Sequence, residues 1–115
     1  MKISKLKATP VAMHDQPLLN STGVHESYRT RTIVQIETTD GYTGVGETSG
    51  DISIEIDNNR SWIEGYDPRQ MTLARLHWNG SPGAWAAVET AMLDAASKHA
   101  GLPVCDYIGG RARDR

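Results

Sequence analysis

The stretch YRTRTIVQIETTDGYTGVGE, running from Tyr28 to Glu47, decides the fold. Its first part, Tyr28 to Thr38, is rich in threonine, valine and isoleucine, which pack well on a pleated, half-buried surface. Asp40-Gly41 follows, a pair that favours a type I′ hairpin turn. Tyr42 to Glu47 then reads as the returning strand. Upstream, Ile3 and Leu6 to Val11 form a further extended segment, stopped by a polar loop with Asp15, Pro17, Asn20 and Gly23. Three strands connected in this way predict an antiparallel meander.

Downstream the pattern changes to helix. Ser81-Pro82 is an N-cap followed by proline at the first helical position. Trp85, Val88, Met92, Ala95 and His99 recur at spacings of three and four, one apolar stripe along a helix. Asp94 and Lys98 stand four apart with the acid first, the favourable order. Gly101 is placed to end the helix and Pro103 prevents its resuming. Asp67-Pro68 has the same cap-and-proline form and predicts a shorter helix through about Leu76. Before both, Ile52, Ile54 and Ile56 alternate as in a strand while Trp62 and Ile63 suit a helix, so periodicity does not settle 51–64. Strands followed by helices make the chain α+β.

The 115 residues allow one domain of ordinary size. Hydrophobic residues at 38% and charged residues at 23% fit a globular rather than a disordered chain. The net charge of −2 draws it to no polyanion, and no segment reads as a membrane span, so neither nucleic acid nor membrane is expected as a partner. The single Cys105 excludes an internal disulfide and a zinc-type Cys-x-x-Cys pattern, and fits a reducing cytoplasm.

Few residues suggest chemistry. His14-Asp15 and His25-Glu26 cluster imidazole with carboxylate, but their spacing does not force the three or four converging donors of a metal site. Gly44-Val45-Gly46-Glu47 begins like a dinucleotide fingerprint, yet Ser49 replaces the third glycine and a hairpin, not a βαβ unit, precedes it. Two glycines that let another backbone approach the strand are the simpler account. His77 and His99 read as structural. Neither a catalytic residue nor a metal ligand is assigned.

Three segments, and the chain's ending, resemble a known family. Met13 to Asp15, Leu19 to His25 and Thr30-Arg31 resemble the start of glucarate dehydratases. Gly41 to Glu47 looks like two strands of the same family. Val88 to Asp94 with Lys98 to Gly101 is similar to the long helix of the N-terminal capping domain in the mandelate racemase and glucarate dehydratase branch of the enolase superfamily. Tyr107-Ile108-Gly109-Gly110-Arg111 resembles the linker that enters the barrel of those enzymes. The resemblance implies residues 1–108 as the capping domain and 109–115 as the start of a linker to a (β/α)₇β barrel that would hold Mg²⁺ and the general base.

The implied function is that of a lid and specificity domain of a Mg²⁺-dependent acid-sugar dehydratase, inactive without its barrel. A racemase or epimerase of the same superfamily, or a stand-alone binding module, are the alternatives. His25 matches a histidine with which the dehydratases contact the sugar acid, and Asn20 an asparagine of the same loop, which makes them the candidate substrate-binding residues. Two departures stand out. Tyr28-Arg29 replaces an aromatic pair and adds a positive charge beside the pocket. The threonine-bearing loop before the long helix is replaced by His77-Trp78-Asn79-Gly80-Ser81. The helical stripe, with Trp62, Trp78 and Ile108, offers more apolar surface than so small a domain is expected to bury, so a homo-oligomer, most simply a twofold dimer, is expected.

Overall fold

The computed structural model describes residues 1–14, 19–20, 23–24 and 28–114. The strands are β1 (Ile3–His14), β2 (Leu19–Asn20), β3 (Gly23–Val24), β4 (Tyr28–Thr38) and β5 (Thr43–Ser49). The helices are α1 (Ser53–Asp57), α2 (Arg60–Ile63), α3 (Met71–His77), α4 (Pro82–Ala100) and α5 (Val104–Tyr107). β1, β4 and β5 form an antiparallel sheet in that order, so the predicted meander and the α+β class hold.

Side-chain alternation along β4 sets the layers. Thr32, Val34, Ile36 and Thr38 are buried, while Gln35 and Glu37 face solvent. The buried row meets α4, which supplies Ala84, Trp85, Ala87, Val88, Ala91, Met92 and Ala95 to the same core. Burying a Val or Met side chain contributes about 1.5–3 kcal/mol, so this one helix carries much of the core. The stripe expected to be left for a partner is therefore spent inside the domain. His99 departs from it: the ring is exposed, meets Tyr42 edge-on with centroids 5.4 Å apart, and lies 3.6 Å from the Asp40 carboxylate.

The two glycines of β5 set how close α4 can come. A Cβ at Gly44 would stand 2.0 Å from the carbonyl oxygen of Ala91, and one at Gly46 would stand 2.0 Å from that of Ala87. The helix backbone thus rests directly on the strand backbone, as the glycine pair suggested. Ser81 caps α4 by accepting the Ala84 N–H. At the other end Gly101 is left-handed, and the Gly101 and Leu102 N–H groups close on the carbonyls of Lys98 and Ser97. That pair of bonds is a Schellman motif.

Both edges of the sheet are occupied near the hairpin end. Asp94 accepts the outward N–H of Val45 at 3.0 Å, and Lys98 donates to the carbonyl of Thr43 at 3.0 Å. On β1 the Ile3 backbone pairs with Gly65 and Tyr66, and Arg60 donates to the carbonyl of Leu6.

Residues Ile52 to Ile63, which periodicity left unsettled, fold as α1 and α2, with Ile56 and Ile63 buried and Ile54 exposed. Two local expectations are corrected. Asp67-Pro68 does not open a helix: Asp67 accepts the Arg69 N–H at 2.9 Å, the Gln70 N–H turns back to the Asp67 carbonyl, and α3 starts only at Met71. The hairpin is not type I′, because among the described residues none other than glycine has positive φ, which leaves Asp40 at negative φ. The Gly41 N–H instead closes on the carbonyl of Thr38 and Gly41 takes the left-handed position at φ 89°, the pattern of a three-residue loop with a glycine bulge.

Asn59 knits the middle of the chain. Its Nδ2 donates to the carbonyls of Glu55 (3.0 Å) and Asn79 (2.9 Å), and its Oδ1 accepts from the indole of Trp62 (2.8 Å) and the N–H of Asn79 (3.2 Å). All the capacity of this buried amide is used. The Glu55 carboxylate accepts from the Ser81 N–H and hydroxyl, which fixes where α4 begins.

Candidate functional site

β1 and β4 remain paired out to His14 opposite Tyr28. The chain between them therefore leaves and re-enters the sheet at adjacent points. Within it β2 and β3 pair Leu19 with Val24 and Asn20 with Gly23, so Asn20 holds the last paired position of a small hairpin. The side chain of Asn20, and Asp15, His25 and Glu26 altogether, lie outside the described residues.

The chain after β5 is tied to the same end of the sheet. The buried Thr32 hydroxyl donates to the carbonyl of Gly50 at 2.7 Å and accepts the Ile52 N–H at 3.0 Å, while the Gly50 N–H reaches the carbonyl of Thr30 at 2.8 Å. Gly83, in the first turn of α4, lies beside Thr48. The roots of two connecting segments and the start of the long helix thus meet at one end of the domain.

A cleft of about 400 Å³ opens there, lined by Met13, His14, Arg29, Arg31 and Glu47. Strand alternation puts Arg29 and Arg31 two residues apart on one face of β4. Arg31 is engaged: it lies 3.2 Å from the Glu47 carboxylate and donates to the Ser49 hydroxyl at 2.9 Å. Arg29 is different, since its Nε and Nη2 are buried with no hydrogen-bond partner. The sequence showed the extra charge of Arg29 but not that burial, which depends on the walls of the cleft.

The other candidates have structural surroundings. His77 lies among the rings of Trp62 (5.7 Å) and Tyr66 (6.1 Å). The Asp40 carboxyl beside His99 is held below its usual range chiefly by a hydrogen bond with the Thr38 side chain. Cys105 is exposed and unpaired. Among the described residues, no three His, Cys, Asp or Glu side chains converge to hold a metal ion, and no helix is long and apolar enough to cross a membrane.

Comparison with known proteins places this geometry. The chain is 32% identical over 99% of its length to a probable glucarate dehydratase of Streptomyces coelicolor, and covers 33% of that protein. An enolase from Pseudomonas fluorescens, solved with bound magnesium, potassium and tartrate, superposes with a TM-score of 0.79 and 31% identity, covering 98% of this chain and 33% of that one. A dipeptide epimerase from Enterococcus faecalis, solved with magnesium and L-Leu-L-Tyr, gives a TM-score of 0.85 and 25% identity, covering 96% of this chain and 35% of the epimerase. The chain therefore spans about a third of the length of these relatives. Residues 4–109 match the mandelate racemase / muconate lactonizing enzyme N-terminal domain, and the chain belongs to that family.

Proposed function

We propose that the chain is the lid and specificity domain of a Mg²⁺-dependent acid-sugar dehydratase of the glucarate dehydratase type. The observation that carries this reading is the 32% identity to the Streptomyces coelicolor protein over 99% of the chain. In this reading residues 1–108 cap a C-terminal barrel and 109–115 begin the linker to it. The barrel supplies the base and the Mg²⁺ ligands; the described residues of this chain hold no donor set for the ion. The chain's own part is to close over the substrate and exclude water. His25 and Asn20 are the groups proposed to contact the acid sugar, His25 by one hydrogen bond and Asn20 as donor and acceptor. The single thiol of Cys105 suits a reducing cytoplasm.

A second reading, the same domain in a racemase or epimerase, is favoured by the likeness to the dipeptide epimerase. Both reactions begin by removing a proton beside a carboxylate or amide carbonyl, and differ in whether a β-hydroxyl leaves. The test is to read the gene beyond Arg115 and assay the complete product with Mg²⁺ on a panel of aldonic and aldaric acids in deuterated water. Loss of water to a keto-deoxy acid supports the dehydratase. Deuterium at the α-carbon with no loss of water supports the epimerase. A reading frame that stops at Arg115, with an inert product, overturns both.

A further inference from the structure

The loop between α3 and α4 carries an asparagine followed by a glycine, Asn79-Gly80. Asn79 is exposed, and among the described residues its side-chain amide has no hydrogen-bond partner. The Gly80 N–H donates to no described group either, and glycine sets no Cβ beside that nitrogen. The backbone around the pair is held instead. Asn59 accepts the Asn79 N–H and donates to the Asn79 carbonyl, a two-bond clasp on one residue. The Trp78 indole donates to the carbonyl of Ser81 at 3.0 Å, bridging across the pair, and Glu55 accepts from the Ser81 N–H and hydroxyl.

This arrangement suits one reaction. When the Gly80 N–H loses its proton, negative charge spreads onto the Asn79 carbonyl oxygen, which already accepts from Nδ2 of Asn59 at 2.9 Å. A donor aimed at that oxygen stabilises the anion as an oxyanion hole does. A hydrogen bond to a charged group favours such a state by a factor of about 10 to 100. The nitrogen then attacks Cγ of Asn79. The N–Cγ bond forms, the Cγ–Nδ2 bond breaks, and Nδ2 leaves as ammonia with the proton that the Gly80 nitrogen gave up. Water opens the cyclic imide. Attack at Cγ restores the ordinary backbone and leaves aspartate; attack at the backbone carbonyl routes the chain through the side chain as isoaspartate, one methylene longer.

We propose that Asn79-Gly80 is a self-modification site, at which the folded domain converts Asn79 to aspartate and isoaspartate, and that isoaspartate opens the Asn59 clasp. The clasp spans the N–H and carbonyl of one residue at ordinary backbone spacing, so it survives in aspartate and is lost in isoaspartate. Asn59 also holds the Glu55 carbonyl and the Trp62 indole, so its release loosens the corner from which α4 starts. The site does not depend on the reaction of the complete enzyme.

The experiment incubates the 115-residue chain at neutral pH and body temperature, digests it with trypsin and weighs the peptides against a zero-time sample. Cleavage after Arg75 and Lys98 isolates residues 76–98, in which Asn79 is the one amide side chain. Expected is a gain of about 1 Da in that peptide. Its rate in the folded chain should lie within about tenfold of the rate in urea, because the Asn59 donation offsets the stiffness of a held backbone. Asn79→Gln, whose longer amide needs a larger ring, should keep both the mass of this peptide and the Tm of the chain. A protease that cuts before aspartate but not before isoaspartate measures the split between the products. The aged, more acidic fraction, taken by anion exchange, should melt below Asn79→Asp, which carries the same charge without the extra methylene. A folded chain that is slower than in urea by more than that factor overturns the site, since the braces would then hold the nitrogen away from Cγ. An aged fraction rich in isoaspartate that melts together with Asn79→Asp overturns the opening of the clasp.

Discussion

The carboxylate of Asp94, on α4, accepts the outward-facing N–H of Val45 at 3.0 Å, although the two residues lie 49 positions apart in the chain. A helix side chain thus completes the hydrogen bonding of a strand edge. We expect Asp94→Ala to cost about 1 kcal/mol and to speed amide exchange at Val45 about five- to tenfold, with Asp94→Asn intermediate because an amide oxygen can still accept. Unchanged exchange at Val45 in the alanine variant would show that the bond is not made in solution.

Gly46→Ala tests the backbone contact between β5 and α4. The added methyl would stand 2.0 Å from the carbonyl oxygen of Ala87, and no side chain is there to move aside. The helix must lift, at a cost of roughly 3 kcal/mol or more. Gly41→Ala is a control of another kind: nothing crowds that position, and the strain of φ 89° alone should cost about 1 kcal/mol. Equal urea midpoints for the two variants would contradict the close contact.

Asp67 gives a pH dependence. Its carboxyl is held below the ordinary 3.8 chiefly by hydrogen bonding with the Arg69 side chain, with the Arg69 N–H helping and burial opposing. Because the folded value is the lower one, the stabilisation is present above the unfolded value and is lost as pH falls through the folded value. The pair is partly exposed, so it contributes less than about 1 kcal/mol. Thermal melts should show the wild type ahead of Asp67→Asn by a few degrees at pH 6 and level with it near pH 2. A gap that persists at pH 2 would assign the effect to something other than charge.

If the complete protein is the proposed dehydratase, His25→Ala should lower kcat/KM by about 10- to 1000-fold, the loss of a polar contact to a charged or transition-state group. Mg²⁺ affinity should be unchanged if the ion belongs to the barrel. A parallel fall in Mg²⁺ affinity would make His25 a ligand and displace it from the role proposed here.

Self-association is expected to arise from surface other than the α4 stripe. Leu73 and Leu76 stand three apart on α3 and are 52% and 78% exposed. We expect light scattering at tens of micromolar to show a dimer of the 12.6 kDa chain, and Leu76→Glu to shift it toward monomer. A wild-type monomer with no concentration dependence would show that these side chains stay solvated.

Much of the fold is legible in the sequence because the decisive elements are long. β4 has enough residues for its alternation to register, and α4 carries a cap, a stripe and a terminating glycine that agree. α1 and α2 span only five and four residues, shorter than the window in which a helical period can be recognised, so Ile52, Ile54 and Ile56 look like a strand. Asp67 misleads for a different reason: the carboxylate that would cap a helix is drawn to Arg69 instead. The site is less legible. The resemblance marks His25 and Asn20, but the burial of the Arg29 fork is a property of packing, which no local pattern encodes.

The pairing of His14 with Tyr28 has a consequence for how such domains diverge. Since the sheet clamps both ends of the segment between them, changing its length leaves the meander intact. Closing a flexible loop twice as long costs only about 0.6 kcal/mol more. Insertions, deletions and wholesale replacement between these two residues are thus nearly free for the scaffold, whereas β5 under α4 admits scarcely a methyl group. One domain therefore combines a backbone that resists substitution with a segment that can be exchanged like a cassette.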